Sequence, residues 1–218
     1  MAGRALEPAE FGATALLAGA ISYALGVCAL VAPGEMSLPT PCADWDLSML
    51  LGHLSDSMAD LETAIRTGHL DLERPPDPAD GGPPDGGPPD GHPAGGDPAG
   101  GDPVEVLRDR AAQLLCATYC FGGPERFVAV GGLPIPAGLV ACTGAVEIAV
   151  HGWDVSAARG SAGCGGVHPI PAALATRMLG LCPLLVAGRE GLFAGPVEVS
   201  AQASPGDRLV GYLGRQPG

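Results

Sequence analysis

An all-α fold is predicted for this chain on three observations. Aromatic residues make up only 4% of its 218 residues, and Ala, Leu and Val fill the apolar positions, which favours helices over a β-sandwich. Hydrophobic residues reach 46% against 16% charged, enough to bury a sizeable core and too apolar for a disordered chain. Leu47, Leu50, Leu51, Leu54, Met58 and Leu61 recur at helical spacing, as an amphipathic helix requires. The chain reads as one helical domain over 1–218, with a non-core insert at 74–103 and a short C-terminal helix or extended tail.

The first helix is expected over 8–31, stopped by Ala32-Pro-Gly-Glu. Phe11 to Pro33 carries no charge, and a helix of that length would span ~30 Å. Its Gly, Ser and Thr content, acidic flanks and lack of a following basic cluster argue for a buried bundle helix instead, and against a membrane span. The same apolarity also suits an oligomer interface, giving a homodimer through this helix. Ser37-Leu-Pro-Thr-Pro-Cys42 is extended, because each residue before Pro is pushed from the helical region. Asp44 or Asp46 caps a second helix over 46–67, which Gly68 ends.

Residues 74–103 repeat Gly-Gly-Pro-Pro-Asp and then Pro-Ala-Gly-Gly-Asp, a composition that buries nothing and reads as a disordered acidic loop. A third helix follows over 104–120, and Gly122-Gly-Pro closes it. Arg126 to Val130 is extended. The fourth helix runs over 137–159 to Gly160, and the fifth over 169–187. Gly195-Pro-Val-Glu-Val-Ser reads as a short strand or extended piece before the tail.

The net charge is −13 and every basic residue is Arg, a surface that repels phosphate backbones and excludes nucleic acid as a partner. Seven Cys, an odd number, with no visible signal peptide, read as free thiols in a reducing cytoplasm. Cys116 and Cys120 share a helix face, but no second Cys/His pair matches their spacing, so they are read as structural.

The residues that carry chemistry are His53, Glu147, His151 and Asp154. Glu147 and His151 stand four apart, about 40° of helical rotation, so both leave one face, and Asp154 returns to that face three residues on. His53 supplies a third ligand from another helix. Two imidazoles and a carboxylate form a facial set with positions left open, which is the design of a reactive metal site. Glu147 lies in the apolar run Leu139 to Val150, where an unpaired buried carboxylate is costly, and this favours a ligand role. Asp154 is the candidate catalytic residue. It either fixes the tautomer of a ligand His or acts as general base at the open positions. Trp153 reads as core or pocket wall. Cys42 is either a nucleophile or a buried thiol in a structural turn, and the turn is favoured because no His neighbours it in sequence. Arg208 and Arg215 either anchor the tail or meet an anionic substrate, with anchoring the default.

Three motifs together carry a family resemblance: Pro39-Thr-Pro-Cys42-Ala-Asp-Trp45 … Gly52-His53-Leu, Glu147-x-x-x-His151-Gly-Trp153-Asp154, and Asp207-Arg208-Leu … Leu213-Gly-Arg215-Gln-Pro. The chain resembles the metal-binding actinobacterial branch of the DinB / mycothiol-dependent maleylpyruvate isomerase superfamily, over most of its length outside 74–103. The resemblance implies a DinB-like four-helix bundle holding one divalent metal through His53, Glu147 and His151. Zinc is the first expectation, with nickel, manganese or iron as alternatives. It implies mycothiol as a thiol cofactor and, in the isomerase relatives, a catalytic or thiol-contacting acid where Asp154 stands. Those isomerases carry a larger C-terminal domain that brings a basic residue to the substrate; here the stretch after 160 is short. The expected function is a metal-dependent isomerase, transferase, cyclase or lyase acting on a small, mostly apolar carbonyl compound. The alternative is a non-catalytic dimeric module that holds a metal or ligand. A non-haem Fe(II) oxygenase ranks last.

Overall fold

The computed structural model describes residues 12–42, 44–70, 102–123, 125–185 and 195–217. The expectation of disorder over 74–103 falls outside these residues, apart from its last two positions, where Asp102 caps and Pro103 opens a helix.

The all-α expectation holds. Among the described residues there are six α-helices: α1 (Ala13–Cys28), α2 (Leu47–Thr67), α3 (Pro103–Phe121), α4 (Ala137–Ser161), α5 (Ala172–Leu185) and α6 (Pro205–Tyr212). The first four close a ring in which α1 lies against α4, α4 against α2, α2 against α3, and α3 against α1. α5 covers α4 and α1, and α6 docks on α5. No helix of the described residues is long and apolar enough to cross a membrane.

α4 is the central helix. It buries residues on every side, from Val140 to Arg159, as expected of a helix surrounded by others. Small residues let α1 approach it: a Cβ on Gly152 would stand 3.0 Å from Ala24 Cα and 3.2 Å from the Tyr23 ring. The apolar face of α1, Leu16, Leu17, Ala20, Ile21, Ala24, Val27 and Cys28, is therefore spent inside the domain.

Several boundaries differ from the sequence reading, each for a local reason. α4 runs past Gly160 to Ser161, and Gly160 serves as a contact point instead of a stop: its Cβ position lies 2.7 Å from Val167 Cγ2. α5 begins at Ala172 because Pro169 and Pro171 push the residues before them out of helical geometry. The extended stretch after Arg126 is a hairpin, β2 (Phe127–Val130) against β3 (Leu133–Pro136), turned by Gly131 and Gly132 at φ 55° and 81°. β1 (His69–Leu70) pairs parallel with β2, so a small three-stranded sheet sits beside α2 and α4. Residues 195–200 form no strand, although Val197 N–H donates to Gly211 O at 2.9 Å.

The segment before α2 is a built turn. Thr40 Oγ1 lies 3.2 and 3.0 Å from the carbonyls of Cys42 and Trp45 and accepts the Cys42 N–H, while Asp44 takes a left-handed φ of 65°. Asp46 then caps α2 by accepting the Met49 N–H at 2.9 Å, and Gly68 ends the helix at φ 78°. This loop delivers Trp45 and Cys42 to the mouth of the site.

Candidate metal centre

His53 projects from α2, and Glu147 and His151 from α4. Their donor atoms all lie within 4.8 Å of one another, a spacing one ion can bridge. His53 Nε2 stands 3.4 Å from Glu147 Oε1, and the two imidazoles meet edge to face with centroids 4.9 Å apart. Trp45 closes one side, 4.8 Å from the His53 ring and stacked 6.4 Å from that of His151. An aromatic wall of this kind fixes both rings and limits water on that side.

Glu147 does not sit in the core as its apolar neighbourhood suggested: 35% of its side chain is accessible. Helical rotation aims it at the α2–α4 groove while its neighbours Val146 and Ile148 face inward. Ser57, one turn beyond His53 on α2, donates its hydroxyl to Glu147 Oε1 at 2.8 Å. Desolvation pushes the Glu147 carboxyl up, but bonding to His53, the charge of His151 and the Ser57 hydroxyl outweigh it, so the group is held below the ordinary carboxylate range. A ligand carboxylate must be ionised, and these contacts favour that form.

Asp154 lies on the far side of His151 and is fully buried. Its Oδ2 is 3.1 Å from His151 Nδ1, which leaves Nε2 of that ring for the His53–Glu147 side. Arg215, just beyond α6, grips the same carboxylate in fork geometry, Nε to Oδ1 at 3.2 Å and Nη2 to Oδ2 at 2.9 Å. The Cys42 thiol donates to Oδ2 at 3.4 Å and lies 3.9 Å from His151 Nδ1. Desolvation opposes ionisation of Asp154, yet the bonds from His151 and Arg215 carry its titration below the usual value. Burial, followed by the Asp154 charge, pushes the Cys42 thiol up to about 12, so it is held protonated.

Cys42 thus has a His beside it after all, contributed from 109 positions away in the chain, a neighbour no local pattern reveals. Cys42, His151 and Asp154 form a second group of potential metal donors that shares His151 with the first. Arg215 fulfils the anchoring reading, with its partner now named as Asp154. Trp153 is buried in the core. Arg208 is exposed and apart from the site. Ser57 went unnoticed in the sequence, although its i+4 spacing from His53 put it on the same face.

The family model described as mycothiol maleylpyruvate isomerase N-terminal domain matches residues 17–156, which span all three donors of the first group and Asp154. No curated protein and no solved structure matches the chain.

Proposed function

The chain belongs to the mycothiol maleylpyruvate isomerase N-terminal domain family, and from that premise we propose a divalent-metal-dependent enzyme acting on a small, mostly apolar carbonyl compound. The reaction class is a thiol-dependent isomerisation or transfer with mycothiol as the thiol, or a metal-assisted cyclase or lyase step. The observation that carries the reading is the convergence of His53, Glu147 and His151 within 4.8 Å from two helices, two imidazoles and a carboxylate.

The donor set fits a borderline metal such as zinc, with nickel, manganese and iron as alternatives. Such an ion, when bound, would polarise a carbonyl or lower the pKa of a thiol. The protein's own part is to hold that region. His53 and His151 present imidazole nitrogens, Glu147 offsets positive charge, and Ser57 fixes the carboxylate oxygen. Trp45 offers an apolar surface to a substrate beside both rings. Asp154 is sealed from solvent and committed to His151 and Arg215, which suits orientation of the ligand ring better than proton transfer to substrate. The proposed setting is the cytoplasm.

Elemental analysis of the purified protein tests the metal. One ion per chain is expected, and His151→Ala should lose it while keeping the fold. Full metal content in that variant would remove the assignment. Thermal unfolding with mycothiol tests the thiol: at 100 times its dissociation constant a ligand adds about 2.7 kcal/mol, and no shift at saturation counts against a thiol cofactor.

A second reading is a non-catalytic dimeric module. It draws on the solvent side of α1, where Ala15, Ser22, Gly26 and Ala29 are exposed and small enough for close helix approach. Light scattering of the eluted protein decides it: a monomer with turnover excludes this reading.

A further inference from the structure

We infer that Arg215 is a positioning residue for the metal centre: the C-terminal segment supplies the cation that fixes Asp154, and through it the ring orientation of His151. This rests on the reading of His53, Glu147 and His151 as a metal site.

Asp154 has no accessible surface, and a buried carboxylate needs its lone pairs satisfied. Three groups do so: His151 Nδ1, the Cys42 thiol and both nitrogens of the Arg215 fork. Only Arg215 brings a permanent positive charge. It also lies 3.8 Å from Cys42 Sγ, which sets a permanent positive charge beside the Cys42–His151–Asp154 group.

The surroundings are built for this delivery. Ser204 caps α6 by accepting the Asp207 N–H at 3.1 Å, and Leu209, Val210 and Leu213 are fully buried. Gly214 then reverses the chain at φ 84°, and Arg215 N–H closes the turn on Val210 O at 2.9 Å. Arg215 Nη1 donates to Leu213 O at 3.0 Å, which sets the plane of the fork. The side chain is 13% accessible and faces Asp154 rather than the open side of the centre. All of this lies after residue 156, where the family match ends. The guanidinium is therefore committed to the protein and not to a substrate anion.

With the fork in place, Asp154 Oδ2 is held 3.1 Å from His151 Nδ1, and the ring keeps one orientation with its other nitrogen free for the ion. Without it, Asp154 loses its bidentate partner and no longer holds one ring orientation.

The test uses the full chain and Zn²⁺ in competition with a chromophoric chelator. Arg215→Ala should weaken Zn²⁺ binding about 10- to 100-fold, the usual effect of removing a group that orients a ligand. Arg215→Lys, which keeps the charge and loses the fork, should recover part of it. Arg208→Ala, an exposed arginine on α6 just before this segment, should change nothing. A second readout needs no metal: two-bond ¹H–¹⁵N correlation spectra of the apo protein should show His151 as the Nδ1–H tautomer in wild type and a mixture in Arg215→Ala. Should Arg215→Ala disturb the tail, Arg215→Gln, of similar reach and neutral, carries both readouts. Wild-type affinity and an unchanged tautomer in the folded Arg215 variants would overturn the inference while leaving the metal site intact. A wild-type chain that binds no Zn²⁺ would overturn the metal reading and this inference with it.

Discussion

Helix propensity and packing make opposite predictions for Gly152→Ala, and the structure decides between them. Ala in a helix interior is favoured over Gly by about 1 kcal/mol. At Gly152 the new methyl would sit 3.0 Å from Ala24 Cα, 3.1 Å from Ala24 Cβ and 3.2 Å from Tyr23 Cε1. Ala24 presents backbone, which cannot rotate away, and the Tyr23 ring is tethered by its hydroxyl donating to His168 O at 2.7 Å. α1 must therefore shift by a few tenths of an ångström along a contact where Ala20, Ala24 and Ala149 are all fully packed. Overpacking of this kind costs about 1–3 kcal/mol and the propensity gain offsets about 1 kcal/mol of it, so the net expectation is a loss of up to about 2 kcal/mol. For a chain of this size that lowers Tm by up to about 8 °C. Gly26→Ala is the matched control: the same helix pair, but nothing within 4 Å of its Cβ position, and a gain of about 0.5–1 kcal/mol is expected. Urea unfolding of the three proteins measures both. A Gly152→Ala variant more stable than wild type by the full propensity gain of about 1 kcal/mol would refute the packing argument. So would a pair of variants that move in the same direction.

Ser57→Ala removes the hydroxyl bonded to Glu147 Oε1 and should weaken metal binding up to about 10-fold, read by chelator competition; unchanged affinity would place that contact outside the site. Acid should destabilise the apo protein in a defined window. Glu147, Asp154 and Glu35 all titrate below their ordinary values, so their stabilisation is complete above about 4.5 and drains as pH falls toward 2. Urea midpoints across that range should fall, and Glu147→Gln should flatten the curve, whereas a parallel curve would show that this carboxylate is not held in the folded state. Iodoacetamide at pH 8 should modify exposed Cys116 well before Cys42, whose thiol is held near 12; equal labelling by peptide mass spectrometry would contradict the protection that burial and the Asp154 charge provide.

The helices were legible because their signals are local. Asp46 and Gly68 bracket α2 in the sequence as they do in space, and the apolar stripe between them is the face that is buried. Glu147, His151 and Asp154 were legible for the same reason, since one helix fixes their common face. The exposure of Glu147 was not, because the α2–α4 groove depends on how two distant helices pack. The Gly131-Gly132 hairpin was read only as an extended piece, although Gly-Gly between apolar runs is a turn signal. The partnership of Cys42, Asp154 and Arg215 joins three parts of the chain, and nothing near any one of them announces the others.

The ring order of the bundle has one further consequence. His53 and Glu147 come from helices separated by the whole of α3 and the sheet, so neither half of the chain can assemble the donor set alone. An ion held there would bind the native state and have no equivalent site in the unfolded chain. Its affinity would then add directly to global stability, and a chelator would act on the whole domain as a denaturant does, by withdrawing a ligand of the folded form.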